Sequence, residues 1–230
     1  MTISVIIPTL NEHLVLEKTL IHTAALDLGE LLVVDGGSTD ITVPTAQDFC
    51  AKTPDTQLIT ALRGRAHQMN AGAKASRGDV LLFLHADTQL PVGAGRIIES
   101  ALSDRTVVGG RFDVRFDSSS AWSRIISSFM NRRSRLTGIS TGDQALFVRR
   151  QVFERLGGFA EIPLMEDIDF SRRLKRAGRI AALRHTVTTS FRRWETQGPL
   201  RTILLMWTLR FLYWSGVSPH RLQDFYATVR

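Results

Sequence analysis

Apolar positions follow two rhythms along this chain. Short aliphatic runs at Ile3 to Ile7, Leu31 to Val34 and Val80 to Leu84 suit strands buried on both faces. Between the first two, Asn11 and Glu12 open a helical segment bearing Leu14, Leu16, Leu20, Ile21 and Ala25 and ending near Gly29. Leu58 to Leu62 is a third candidate strand, followed by a stretch of small and polar residues from Gly64 to Ala73. Strands and helices alternate in this way to about Leu102, which predicts an α/β domain with a parallel, doubly wound sheet. The rhythm then changes. Val107 to Phe116 alternates apolar and polar residues in its second half, predicting an antiparallel or edge strand, and Trp122 to Met130 reads as a helix. Thr141 to Arg150 reads as a loop and short strand, Pro163 to Lys175 contains a helix, and Ile180 to Thr189 forms a last strand. Leu200 to Val217 is apolar and aromatic but interrupted by Arg201 and Arg210, so a membrane crossing is not expected.

At 230 residues, with 43% apolar and 22% charged positions, the chain can bury a core as one domain. A single cysteine, Cys50, excludes an internal disulfide and argues against a cysteine zinc site, which fits cytoplasmic residence. Met1 leads straight into a strand pattern, so no signal peptide is expected. Charge divides the chain: residues 1–110 hold 8 Lys/Arg against 12 Asp/Glu, whereas residues 111–230 hold 21 against 10, all but one of the 21 being arginine. Such an arginine excess suits nucleic acid, anionic lipid or a phosphorylated substrate, or is simply a solvated basic face.

Candidate chemistry gathers where strands end. In GDVLLFLHADTQLP, Asp87 follows a buried strand, the place where open α/β sheets bind ligands. By itself it reads better as a loop Asp capping the next helix. Asp35 to Asp40 (DGGSTD) is a strand, Gly-rich turn and helix start, suited to a nucleotide but lacking a full dinucleotide motif. Arg65, His67, Gln68 and Asn70 stand among small residues that permit close approach. Glu166, Asp167 and Asp169 lie at a helix start, which complements the helix dipole. The adjacency of Glu166 and Asp167 also allows paired carboxylates to separate in pKa and supply a general base.

The ordered set SVIIPTLNE, VVDGGSTD, MNAGA, LLFLHADT and MEDIDFSRRL resembles the family-2 glycosyltransferases of GT-A fold along nearly the whole chain. GRAHQMNAGA, TGDQALFVRR, IPLMEDIDFSRRLK, RRWETQG and LRFLYWSGVSP are similar to the arsenosugar-biosynthesis-type subgroup, grouped also with radical-SAM and selenium-related genes.

The resemblance implies a Rossmann-like, mostly parallel sheet with helices on both faces, a small antiparallel element and C-terminal helices. It implies one domain with a nucleotide-sugar half (1–110), an acceptor and catalytic half (111–197) and amphipathic helices (198–230). Pro8, Thr9, Asn11, Glu12, Asp35, Arg65, Asn70, His85 and Asp87 would bind the donor. Asp87 matches the last carboxylate of the D-x-D motif and would hold Mn²⁺ or Mg²⁺, while His85 stands at the first position. Either His85 ligates a softer ion, or it hydrogen-bonds a phosphate and Asp87 is the one direct protein ligand; the second is favoured. His185 would complete a metal site. Asp167 would be the general base of inverting transfer, assisted by Glu166. Asp143, Gln144, Arg193 and Trp194 would face the acceptor. Gly36 replaces the second aspartate frequent after Asp35, and Ser190 stands where processive members carry Gln, so polymer synthesis is not expected.

The implied partners are a nucleotide-diphosphate sugar and a small or lipid-linked acceptor, not nucleic acid. The segment after Leu200 would touch a membrane surface, at the inner face of the cell membrane, or join two subunits. The competing readings are a nucleotidyltransferase, which would need a cationic Gly-rich loop where this chain has PTLNEH, and a non-catalytic basic module binding a membrane or a partner.

Overall fold

The computed structural model describes residues 1–229, with side chains to residue 226. In chain order the elements are β1 (Ile3–Thr9), α1 (His13–Ala24), β2 (Gly29–Asp35), α2 (Thr42–Lys52), β3 (Thr56–Thr60), α3 (Arg65–Ala75), β4 (Val80–Phe83), β5 (Thr88–Gln89) and α4 (Ala94–Leu102). Then follow β6 (Val107–Phe116), α5 (Ala121–Thr137), β7 (Leu146–Arg149), α6 (Arg150–Arg155), α7 (Glu166–Ala177), β8 (Arg179–Thr189), α8 (Arg192–Gln197), α9 (Pro199–Trp214) and α10 (Pro219–Val229). One sheet takes them in the order β3-β2-β1-β4-β7-β6-β8-β5. The first four strands in that order are parallel, and β4 passes the sheet antiparallel to β7. Both halves of the chain therefore share one sheet, covered by separate apolar clusters. This is the expected α/β architecture.

The central strands are apolar on both faces because helices cover both faces. The small-residue stretch, left unassigned by its pattern, is the helix α3. A Cβ at Gly72 would lie 2.5 Å from Ile6 Cγ2 and 3.0 Å from Val34 Cγ2, so glycine lets this helix lie directly on β1 and β2. β3 begins two residues earlier than the apolar run suggested.

Of the two expectations for β6, antiparallel or edge, the first is met and the second is not: it runs between β7, antiparallel, and β8, parallel. The polar residues that suggested a solvent face are paired within the protein. Arg111, 1% exposed, binds Asp113, and Arg135 reaches the same carboxylate. Among the described residues no helix is long and apolar enough to cross a membrane.

Replacing Gly72 by valine forces α3 off the sheet and is expected to cost about 1–3 kcal/mol, read as a lower denaturation midpoint with helix content retained. An unchanged midpoint would show that α3 is not packed this closely.

Candidate active site

Two strand ends and two helix starts contribute to the cleft. Its walls include Pro8 near the end of β1, His85 after β4, Arg65 at the start of α3, and Glu166 and Asp167 at the start of α7. The loops after β1 and β2 are tied together: Asn11 N–H donates to Ser38 Oγ at 2.9 Å, and Thr39 N–H donates to Asn11 Oδ1 at 2.8 Å. Asn11 holds this position at φ 56°. Asp35 is buried and receives the N–H groups of Gly37 and Ser38 at 2.8 and 2.9 Å. Its carboxylate builds the Gly-rich turn. Buried Gln68 crosses beneath, donating from Nε2 to the carbonyls of Thr9 and Val34 at 2.7 and 2.9 Å.

Asp87 does not cap a helix, since α4 begins only at Ala94. Thr88 and Thr189 hydroxyls approach its Oδ1 at 3.3 and 3.4 Å. Beside it stands Glu12, whose carboxyl is raised above its usual range, first by burial and then by the charge of Asp87. Arg192 Nη2 lies 3.5 Å from the other side of Glu12.

His85 Nδ1 is 3.1 Å from Asp143 Oδ1. Burial alone would raise the Asp143 carboxyl, but the His85 hydrogen bond and the charges of His85, Arg65 and Arg193 bring it down to about 2. Asp143 belongs to a short 3-10 turn, Gly142–Gln144. Gly142 N–H donates to Asp167 Oδ2 at 3.2 Å, and a Cβ on Gly142 would meet His85 Nε2 at 2.3 Å. Glycine is therefore what lets the turn bridge the end of β4 and the start of α7.

At that start Met165 takes a left-handed conformation, φ 72°, ahead of the helix. Glu166 and Asp167 both line the cleft, the first buried and the second partly exposed, and Asp167 accepts the Ile168 N–H at 2.7 Å. Burial, followed by repulsion from Asp167, pushes the Glu166 carboxyl up to about 7, with Arg65 opposing. The Arg65 side chain is exposed and lines the cleft. Burial would weaken its hold on the proton, but Glu166, Asp143, Asp167 and Asp87 outweigh burial and strengthen it.

Four expected site residues are placed otherwise. His185 is exposed beside Arg96 and Ser100 of α4 and, four residues before Thr189 on β8, stands about 13 Å along the strand from the residue that touches Asp87. Among the described residues no cluster of three or more His, Cys, Asp or Glu could enclose a metal. Gln144 is fully buried and accepts the Thr141 N–H through Oε1 at 3.2 Å, bracing the turn. Asn70 gives its whole amide to the Phe159 backbone, with both hydrogen bonds at 2.9 Å. Trp194 packs with Phe191 and Phe116. Arg193 is exposed with its guanidinium over the Tyr226 ring, and its charge reaches Asp143. Pattern reading missed Gly142, although the TGDQ segment was visible, because its bridging depends on what lies opposite.

The sequence profile described as Glycosyl transferase family 2 matches residues 4–157. The chain belongs to that family. An undecaprenyl-phosphate 4-deoxy-4-formamido-L-arabinose transferase of Pseudomonas aeruginosa strain LESB58 is 33% identical over 64% of this chain and 46% of its own length. A probable glycosyltransferase, YdaM, of Bacillus subtilis strain 168 is 26% identical over 76% of this chain and 47% of its own. The chain thus spans about half the length of the curated relatives it matches. Among solved structures, S. aureus TarS superposes with TM-score 0.66 at 16% identity, covering 88% of this chain and 39% of that one. The mannosyltransferase PcManGT of Pyrobaculum calidifontis, in complex with GDP-Man and Mn²⁺, gives TM-score 0.65 at 21% identity, covering 88% and 61%. These likenesses show the shared GT-A fold.

The elevated Glu166 carboxyl has a consequence for the stability of this chain. The folded chain holds that proton more tightly than the unfolded chain, so the contribution is full below the ordinary value of 4.5 and is lost as pH rises through about 7. Wild type should lose up to roughly 3 kcal/mol on this account between pH 5 and 8, and Glu166→Gln should flatten that slope in chemical denaturation. An equally steep slope in the variant would place the titration elsewhere.

Proposed function

We propose that this glycosyltransferase moves a single sugar, with inversion, from a nucleotide-diphosphate sugar to a small or lipid-linked acceptor. The observation that carries the reading is the placement of Asp167: its carboxylate faces the cleft, oriented by the N–H groups of Gly142 and Ile168, across from the strand end that bears Asp87. A general base needs such a fixed carboxylate within reach of the acceptor hydroxyl. Asp167 takes that proton as the acceptor oxygen bonds to the sugar's anomeric carbon and the nucleoside diphosphate leaves with the bonding electrons. Glu166, buried beside it, sets the local charge.

Arg65 is positioned to meet the diphosphate as negative charge develops on it. The residues present also fit a divalent cation. Glu12 is raised above its usual range by burial and then by the charge of Asp87, and a hard cation would relieve that repulsion. Asp87 would hold the ion, and Mn²⁺ or Mg²⁺ there would neutralise diphosphate charge. His85, already engaged by Asp143, is suited to a phosphate contact and not to the metal.

Support from relatives is of two kinds. PcManGT is described in complex with GDP-Man and Mn²⁺, and TarS with UDP-GlcNAc, so neighbours of this fold take nucleotide sugars. The Pseudomonas relative is named for an undecaprenyl-phosphate acceptor, which favours a lipid-linked acceptor and work at the cytoplasmic face of a membrane. GRAHQMNAGA and IPLMEDIDFSRRLK remain the reason to group the chain with the arsenosugar-biosynthesis type.

UDP or GDP with Mn²⁺ is expected to raise the melting temperature, and Asp87→Ala to abolish the rise. Asp167→Asn should keep that rise yet lower transfer about 10²–10⁴-fold, with nucleoside diphosphate as the released product. No shift with any nucleotide, or full transfer by Asp167→Asn, would defeat the assignment; release of pyrophosphate would indicate a nucleotidyltransferase.

A further inference from the structure

Most arginines of the second half have partners. Arg111 and Arg135 share Asp113, Arg173 pairs with Asp169, and Arg149 and Arg150 donate to backbone carbonyls. Arg133 differs. It lies on α5 two residues before Arg135, and its Nε and Nη2 are enclosed without any hydrogen-bond partner. Desolvating a guanidinium without a partner is unfavourable, which marks the position as awaiting an acceptor. Arg210 on α9 is half-buried and takes part in none of the hydrogen bonds or salt bridges among the described residues.

Packing brings the two together at the cleft. Leu209 is buried in a cluster with Met165 and Ile168, the residues flanking Glu166 and Asp167, so the next residue, Arg210, leaves α9 beside the start of α7. Phe129 of α5 stacks on Trp207 of α9 with ring centroids 5.6 Å apart. Arg133 and Arg210 lie one turn beyond those two rings, on the same sides of their helices. Burial and then the charge of Arg210 bring Arg133 down to about 10, while Asp167 and Asp143 act in the opposite direction. The two like charges thus act on each other and on the proposed base.

The outer faces of the same helices are apolar. Leu200, Leu204, Trp207, Phe211 and Trp214 recur at alternating spacings of four and three on α9, the last three being 56%, 63% and 73% exposed. Ile125 and Phe129 extend this stripe onto α5. Bulky aromatics beside arginine are the composition of a helix lying in a membrane interface.

Resting on the sugar-transfer reading above, we infer that Arg133 and Arg210 jointly bind the phosphate of a phosphorylated lipid acceptor whose hydrocarbon runs along the α5–α9 stripe. Two guanidinium forks match the several oxygens of one phosphate. The anion supplies the partner that Arg133 lacks and removes the repulsion between the arginines. Held there, the headgroup approaches the cleft from the α5–α9 side, and Arg65 remains free for the donor diphosphate.

The test is flotation with phosphatidylcholine vesicles containing either dodecyl phosphate or dodecanol. Wild type should bind the dodecyl phosphate vesicles about tenfold more tightly, and Arg133→Gln/Arg210→Gln should bind both alike. Because the substitutions relieve a like-charge pair, the double variant should melt no lower than wild type and keep its nucleotide shift. Should it fold poorly, Arg210→Lys retains the charge without the fork, and the same loss of discrimination is read on it. Trp207→Ser/Phe211→Ser should weaken binding to both vesicles. Equal binding of wild type to both vesicles overturns the inference. So does discrimination that survives in the arginine variants, inorganic phosphate that stabilises wild type without vesicle binding, or light scattering showing a dimer that Trp207→Ser dissociates. Loss of the nucleotide shift in wild type would instead remove the transfer reading beneath it.

Discussion

The Arg65 guanidinium stands among Glu166, Asp143, Asp167 and Asp87, carboxylates delivered by three separate parts of the chain. Without a cation there, these groups would repel, and burial would push them toward their neutral forms. The rest of the cleft depends on this balance. Arg65 reaches it because it begins α3, and α3 lies close because Gly72 presents no side chain to Ile6 and Val34. A packing feature of the sheet thereby sets the electrostatics of the site. The balance is incomplete around Glu12 and Asp87, where charge is left for a cation and a diphosphate.

The turn Gly142–Gln144 is the second element on which the geometry rests. It joins His85 to Asp143 on one side and Gly142 to Asp167 on the other, coupling the donor wall to the proposed base. Gln144 braces it from within, and Ser140 beside it hydrogen-bonds Ser171 of α7 at 2.8 Å. Residues 140–142 thus reach α7 at two points, Ser171 and Asp167. On the far side, α9 closes over the start of α7 through Leu205 and Leu209, which leaves its aromatic face outward and Arg210 at the rim.

Much of the fold was legible because buried central strands advertise themselves. Ile3–Ile7, Leu31–Val34 and Val80–Leu84 are apolar at every position but Ser4, and no exposed element would be. β6 misled for a definable reason. Its Arg111 and Asp113 resemble a solvent-facing alternation, and only their mutual pairing makes an interior strand of them. The helix α3 was illegible because a surface of Gly and Ala carries almost no amphipathic signal. Within the site, Asp87, Asp167, Arg65 and His85 fell where strand ends and helix starts put them. His185, Gln144 and Asn70 did not, since a polar side chain near a motif can equally well brace the backbone, as the last two do here.

What the sequence by itself determined was local: which segments are strands, where the chain turns, and which carboxylates stand at element ends. Those depend on residues near one another in the chain. Tertiary structure decided which of these groups meet. It set Asp143 against His85, buried Glu166 while leaving Asp167 partly exposed, and brought Arg133 and Arg210 from separate helices to one rim. Burial and charge acting across the cleft fix protonation and partnership, and neither is defined until distant segments pack.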